Sequence, residues 1–347
     1  MVAQSTMQQI ADELHLHRLT VSSIINGKAS RRGISERTIQ RVQDYVRQQG
    51  YVPSRQAVAL RTGVRSGIGI LHTGQLYSHL ADAYSQMTEQ FSVLPEGLEI
   101  MVSREENTIQ GLRELIARGI RKLIWLHTSH LQFELLENEI ITGLISKVQT
   151  IIYNYPFDDK SPDERFLAKG IYLVGVNRTR GYARLAAFLK ESGHRSIFLP
   201  DVPANSHEYL SSFVNAFTSC GLEAVTPQVE VLPSSIPERV LLLANDILET
   251  RKTRKFTAAC FRDDEIAGFV MNELIQRGLR IPEDLSITGF DGHRLAPIFR
   301  VPLTTLRVPV EEMIQKITFL LSTEPAEHRH CSELELILRK SHCPVQV

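Results

Sequence analysis

The sequence predicts a small all-α head joined to a larger α/β body built on parallel sheets. Three observations carry that expectation. Residues 1–65 hold ten Lys/Arg against four Asp/Glu, a net +6, and the remaining 282 of the 347 residues hold 29 against 35, a net −6. Short amphipathic helices with tight turns fill the head. In the body, short apolar strands alternate with helical stretches, which gives parallel sheets covered on both faces. A basic head on an acidic body points to a polyanion for the head.

The head begins with Thr6-Met7-Gln8-Gln9, a capping box in which the Thr6 hydroxyl and the Gln9 side chain satisfy orphan amides. Ile10, Ala11 and Leu14 then mark one helix face. A second helix fits 18–25, with Val21, Ile24 and Ile25 on one side and Arg18, Leu19, Ser22 and Ser23 elsewhere, their hydroxyls outward together with that of Thr20. Two helices joined by Leu14-His15-Leu16-His17 make a helix-turn-helix. Such a turn needs one residue of positive φ, and His15 has to supply it. Ser35 caps a third helix that carries Ile39, Val42 and Val46 inward and stops near Gly50. After Pro53, Ser54 can cap a further helix of six or seven residues, too short to stand alone. DNA or a second subunit would order it; a plain linker is the other reading.

The stretch IADELHLHRLTVSSIINGKAS…ISERTIQRVQDYVRQQGYVPSRQAVALRTG resembles the headpiece and hinge of the lactose-repressor (LacI/GalR) regulators. That resemblance implies a second helix in the major groove and paired hinge helices in the minor groove, with Leu60 wedged between base steps. The implied DNA-facing set is Thr6, His17, Arg18, Leu19, Thr20, Ser22, Ser23, Asn26, Arg31, Arg32, Ser35, Tyr51, Ser54, Ala57 and Leu60. Arg18 would read guanine, Leu19 would touch a thymine methyl, and Arg31 and Arg32 would approach phosphates. Ser23 stands where the family usually has a base-reading Arg, and Ser54 where it usually has Asn.

In the body, strands are expected at 67–72, 98–102, 122–127, 149–153, 171–176, 195–199, 257–261 and 285–290. Helices are expected near 79–92, 107–118, 131–146, 179–192, 207–220, 237–250, 264–277 and 309–321, with 322–347 as strand and loop. In open α/β sheets ligands bind at the strand carboxyl ends.

The resemblance continues through AAFLKESGHRSIFL, FRDDEIAGFVMNELIQRGLRIPEDLSITGFDG, VPLTTLRVPVEEM and LILRKS. It implies a periplasmic-binding-protein-like type I body of two doubly wound parallel-sheet subdomains around a small-molecule cleft. Its bounds would be a headpiece over 1–53, a hinge over 54–65, and a body over 66–347. The body would divide into 66–168 plus 293–322 and 169–292 plus 323–347. Asp291 takes the position that hydrogen-bonds sugar hydroxyls in the family, and Asp264 lies near the same pocket, although helix capping would also account for it. His72, Gln75, Tyr77 and His127 would line the first subdomain's side, and Asn177, Arg180 and Tyr209 the second's. Tyr209 replaces a family Arg and Asn177 a frequent Asp, which points away from the family's ordinary sugar effectors.

No apolar run approaches the roughly 18 residues needed to span a membrane, and no signal peptide is expected from MVAQSTMQQIADEL. Cys220, Cys260, Cys331 and Cys343 show no CxxC spacing, as for reduced thiols in a cytoplasm. There is no GxxxxGK[ST], GxSxG or HExxH, and His328-Arg329-His330-Cys331 matches no standard zinc spacing, so neither a metal nor a cofactor is expected. The implied function is a repressor-type regulator. It would bind a pseudo-palindromic operator as a homodimer, and a small molecule, a sugar or sugar-like compound acting as inducer or corepressor, would order or disorder the hinge. The alternative is a cytoplasmic receptor of the same cleft fold whose DNA binding is degenerate or corepressor-dependent.

Overall fold

The computed structural model describes residues 7–25, 29, 32–48, 67–73, 78–94, 97–103, 107–126, 138–157, 164–200, 208–227, 232–323 and 325–345. The chain forms two compact units, Met1–Ser66 and Gly67–Val347. In the first, α1 (Met7–Glu13), α2 (Arg18–Ile25) and α3 (Glu36–Gln48) close over a small core of Ile10, Ala11, Leu14, Val21, Ile24, Ala29 and Val42.

The turn between α1 and α2 is made as the sequence requires. His15 takes φ 51. Its amide donates to the Asp12 carbonyl at 3.1 Å, and the Leu16 amide donates to the Ala11 carbonyl at 2.8 Å. This pair of bonds is a Schellman cap with His15 at the left-handed position and Leu16 turned onto the core. Arg41 of α3 reaches back to the Leu14 carbonyl at 2.8 Å and fixes the third helix against that turn. Ser35 caps α3 through the Thr38 amide at 3.3 Å, as expected.

The second unit holds two six-stranded sheets. The first comprises β1 (Ile68–Thr73), β2 (Leu98–Ser103), β3 (Lys122–Leu126), β4 (Gln149–Phe157), β5 (Tyr172–Asn177) and β11 (Arg329–Ser332), ordered β11-β5-β4-β3-β1-β2 and parallel throughout. The second comprises β6 (Ser196–Phe198), β7 (Glu223–Val225), β8 (Ala258–Cys260), β9 (Ser286–Asp291), β10 (Thr304–Arg307) and β12 (Glu335–Ile337), ordered β12-β10-β9-β8-β6-β7; only β12 runs antiparallel.

The helices α4 (Ser78–Ser92), α5 (Thr108–Ala117), α6 (Glu139–Ile145) and α12 (Val310–Ser322) accompany the first sheet, and a short α7 (Glu164–Leu167) precedes β5. The second sheet is covered by α8 (Arg178–Glu191), α9 (Glu208–Ser219), α10 (Ile236–Thr253) and α11 (Asp264–Gln276). One apolar cluster joins the two layers: Ile70, Leu126 and Val174 from the first sheet belong to the same core as Leu199, Phe290 and Leu306 from the second.

The strands place the crossings differently from the expected subdomain bounds. The segment 172–177 pairs with β4 in the first sheet, so the chain passes over after Asn177 and not near 168. The segment 304–307 pairs with β9 in the second sheet, and 329–332 with β5 in the first. Hydrogen-bonded register decides membership here, and it cannot be read from four-residue strands in the sequence alone.

Candidate functional site

In the head, the exposed side of α2 is confined to its first turn. Arg18 is exposed and Leu19 is 56% exposed, whereas Ser22 and Ser23 are only 6% exposed. The Ser23 hydroxyl donates to the Leu19 carbonyl at 2.7 Å, one turn back in its own helix. The outward hydroxyls expected at 22 and 23 are therefore corrected: both residues are buried between the helices, and the Ser23 hydroxyl bonds back to its own helix backbone. Thr20 is half-buried. His17 caps α2, its Nδ1 accepting the Leu19 amide at 3.2 Å, which leaves the proton on Nε2. Arg32 and Ser35 are exposed. Thr6, Asn26, Arg31, Tyr51, Ser54, Ala57 and Leu60 lie outside the described residues.

In the body, the carboxyl ends of β4 and β9 meet around one imidazole. At the end of β9, Asp291 adopts φ 99 and is followed by Gly292 at φ 77. The Val308 amide holds the Asp291 carbonyl at 3.1 Å. In β4 the pairing with β5 shifts between Tyr153 and Tyr155, and the extra residue, Asn154, takes φ 63. His79, from the first turn of α4, stands between the two. Its Nδ1 lies 2.8 Å from Asp291 Oδ1, and its Nε2 lies 3.3 Å from Asn154 Oδ1. The Asp291 contact is a close approach and not an aligned N–H···O bond. Arg178 Nη2 donates to the same Asn154 oxygen at 3.0 Å. His79, Asn154 and Asp291 are all buried.

Of the described residues expected to hold an effector, only Asp291 belongs to this cross-sheet group. Asn177 is buried and caps α8 by accepting the Arg180 amide at 2.9 Å. Arg180 stands at the surface, 3.7 Å from Glu333. His72 is buried at the end of β1, beside Tyr84, and burial lowers its pKa. Gln75, Tyr77 and His127 lie outside the described residues, as does the side chain of Tyr209 in α9. His79, Asn154 and Arg178 gave no sequence signal, because a polar residue at a helix start or a strand bulge has no periodicity to mark it.

Asp264 is not a pocket residue in this structure. It is 0% exposed, with Oδ1 accepting the Thr305 hydroxyl at 2.7 Å and Oδ2 the His293 amide at 2.7 Å. The helix cap is its neighbour Asp263, which accepts the Ile266 amide at 2.9 Å. A Cβ on Gly289 would lie 2.0 Å from Asp264 Oδ1, so that glycine makes room for the carboxylate. Burial holds the Asp264 carboxyl well above the usual carboxylate range, with Thr305 opposing. A folded-state pKa raised in this way contributes stability at low pH, lost as pH rises from the ordinary carboxylate value through the folded one. Asp264→Asn can keep both bonds, with its amide oxygen on His293 and its NH2 on Thr305. Over that window the variant should gain on the wild type by at most about 1.4 kcal/mol per pH unit. Thermal midpoints measured across pH check this, and parallel curves would contradict it.

Among the described residues no three His, Cys, Asp or Glu side chains are grouped to hold a metal, and no helix is long and apolar enough to cross a membrane. Burial pushes the Cys260 thiol up to about 12, which leaves it unreactive.

Residues 186–342 match the model of a periplasmic binding protein-like domain. A curated relative, the HTH-type transcriptional repressor PurR of Vibrio cholerae, is 26% identical over 88% of this chain and 87% of its own length. The HTH-type transcriptional regulator AscG of Escherichia coli is 24% identical over 90% of each chain. The fold matches that of the lac repressor dimer bound to operator and the anti-inducer ONPF, with a TM-score of 0.77, 17% identity, and coverage of 98% of this chain and 99% of that one. It also matches the complex of the transcriptional regulator CelR with cellobiose, with a TM-score of 0.60 and 20% identity over 97% of this chain and 100% of that one.

Proposed function

We propose that the chain is a transcriptional repressor of the lactose-repressor (LacI/GalR) family, acting in the cytoplasm. It binds a pseudo-palindromic operator as a homodimer and answers to a small molecule held between the two sheets. It carries out no catalysis. The observation that carries this reading is the co-occurrence, along nearly the full length of curated repressors, of a helix-turn-helix head and a two-sheet body. The DNA contacts fall to Arg18 and Leu19, the exposed first turn of α2, with His17 Nε2 and Arg32 toward phosphates. The effector contact falls to Asp291, whose carboxylate suits adjacent hydroxyls. A relative that is a sucrose operon repressor and a structural match that binds cellobiose favour a sugar or sugar derivative.

Selection of binding sites from random duplexes by the full chain should yield an inverted repeat. Arg18→Ala should then cost about 10- to 100-fold in affinity for the selected site and relax one base position in each half. Non-specific affinity should fall far less. No enriched sequence at any salt concentration would sink the repressor reading.

A further inference from the structure

We propose that His79 is a built-in competitor for the effector: it latches the two sheets together through Asp291, and a ligand gains that carboxylate only by displacing the imidazole. This rests on the reading of Asp291 as an effector contact.

Hydrogen bonding fixes one edge of the ring. A guanidinium only donates, so the Asn154 atom 3.0 Å from Arg178 is the amide oxygen. His79 Nε2, 3.3 Å from the same oxygen, is therefore a donor. On the other edge of the ring the Asp291 carboxylate sits 2.8 Å from Nδ1, with both side chains under a tenth exposed. One imidazole thus has an acceptor from each sheet on either side, sealed from water. A hydroxyl-bearing ligand cannot share Asp291 with it; one partner must leave.

Backbone strain marks the same two residues. Among the described residues three non-glycines have positive φ: His15 in the head turn, and Asn154 and Asp291, which flank His79. Such conformations persist where surroundings impose them, and they gather at ligand clamps and switches. Here the two strained positions lie on different sheets and are joined by one side chain. Exchange of His79 for a ligand therefore releases a tie between the layers, a two-state element of the kind effector control requires.

The test uses the full chain and imidazole as the probe. His79→Ala should lower the thermal midpoint, and imidazole should then recover about 2 °C or more by occupying the vacated place. Wild type and the double variant His79→Ala/Asp291→Asn should show no such recovery. Equal shifts in all three proteins, or none in any, would overturn the latch. Should His79→Ala not fold, a cycle of His79→Asn and Asp291→Asn replaces it, where additive midpoint changes overturn the proposal and coupled ones support it. Sugar binding separates the premise from the inference. With D-glucose, sucrose and cellobiose as probes, any sugar that binds should bind His79→Ala about tenfold tighter than wild type, since the latch no longer competes. A response indifferent to Asp291→Asn, with imidazole recovery intact, would overturn the effector reading and the competition with it; absent recovery overturns the latch itself.

Discussion

Gly175→Ala should lower the thermal midpoint of the body by about 10 °C, corresponding to a loss of about 4 kcal/mol or more. A Cβ at this position would lie 1.9 Å from the Tyr155 carbonyl oxygen and 2.7 Å from its carbonyl carbon and nitrogen. All three are backbone atoms in β4, which lies between β3 and β5, so no side chain can swing away to relieve the clash. The close approach follows from the bulge: the extra residue Asn154 pushes the Tyr155 peptide toward β5, and only a glycine leaves space for it. Relief requires the two strands to part or the bulge to flatten, and flattening turns Asn154 away from His79. The variant should therefore lose the cross-sheet contact together with its stability. Gly143→Ala provides the contrast. A Cβ there meets nothing within 4 Å, and in α6 an alanine should stabilise by about 1 kcal/mol. Calorimetry on the two variants decides the matter, and a midpoint for Gly175→Ala within 2 °C of wild type would contradict the steric account.

The contrast between what the sequence disclosed and what it withheld follows the range of the interactions. Strands such as 68–73, 122–126 and 172–177 are apolar runs flanked by turns, and local pattern reveals them. The His15 turn was equally legible, because a two-helix junction without glycine forces one residue into the left-handed region. By contrast β11, Arg329–Ser332, is an edge strand with no apolar run, and it is a strand only because β5 offers it a partner. Asp291 could be singled out as a strand-end carboxylate before glycine. Its partner could not, for His79 is tied to it only by the folding of two sheets. Asp264 shows the opposite failure. Its place in the sequence suits a ligand contact, but burial against Thr305 and the His293 amide gives it to the scaffold. The burial of the α2 serines is hidden from the sequence for a similar reason: a helical wheel shows which residues share a face, not how much of an eight-residue helix its neighbours cover.

If the chain acts as the proposed homodimer, Ile298→Asp should convert it to a monomer and reduce affinity for its selected site by about 10²- to 10³-fold, since two heads held together gain the second half-site as an intramolecular event. Ile298 is 74% exposed, and Leu295 and Phe269 are exposed nearby on the same layer. A Cβ on Gly268 would strike the ring of Phe299, so α11 and the 295–299 segment lie side by side. Single exposed aliphatic residues are ordinary, but several large exposed apolar residues on adjoining segments suit an interface. An aspartate at its centre would be desolvated without a partner in a dimer and fully hydrated in a monomer, so its cost falls on association and not on folding. The variant's thermal midpoint at low concentration should match that of dissociated wild type, while sedimentation shows half the mass. Non-specific DNA affinity per head should change little, since it depends on phosphate contacts within each unit. A dimer that survives the substitution would move the interface elsewhere, for example to the exposed Ile100 and Val102 of the edge strand β2. Undiminished operator affinity in a demonstrated monomer would contradict the half-site reading itself, because a single head spans only half of an inverted repeat.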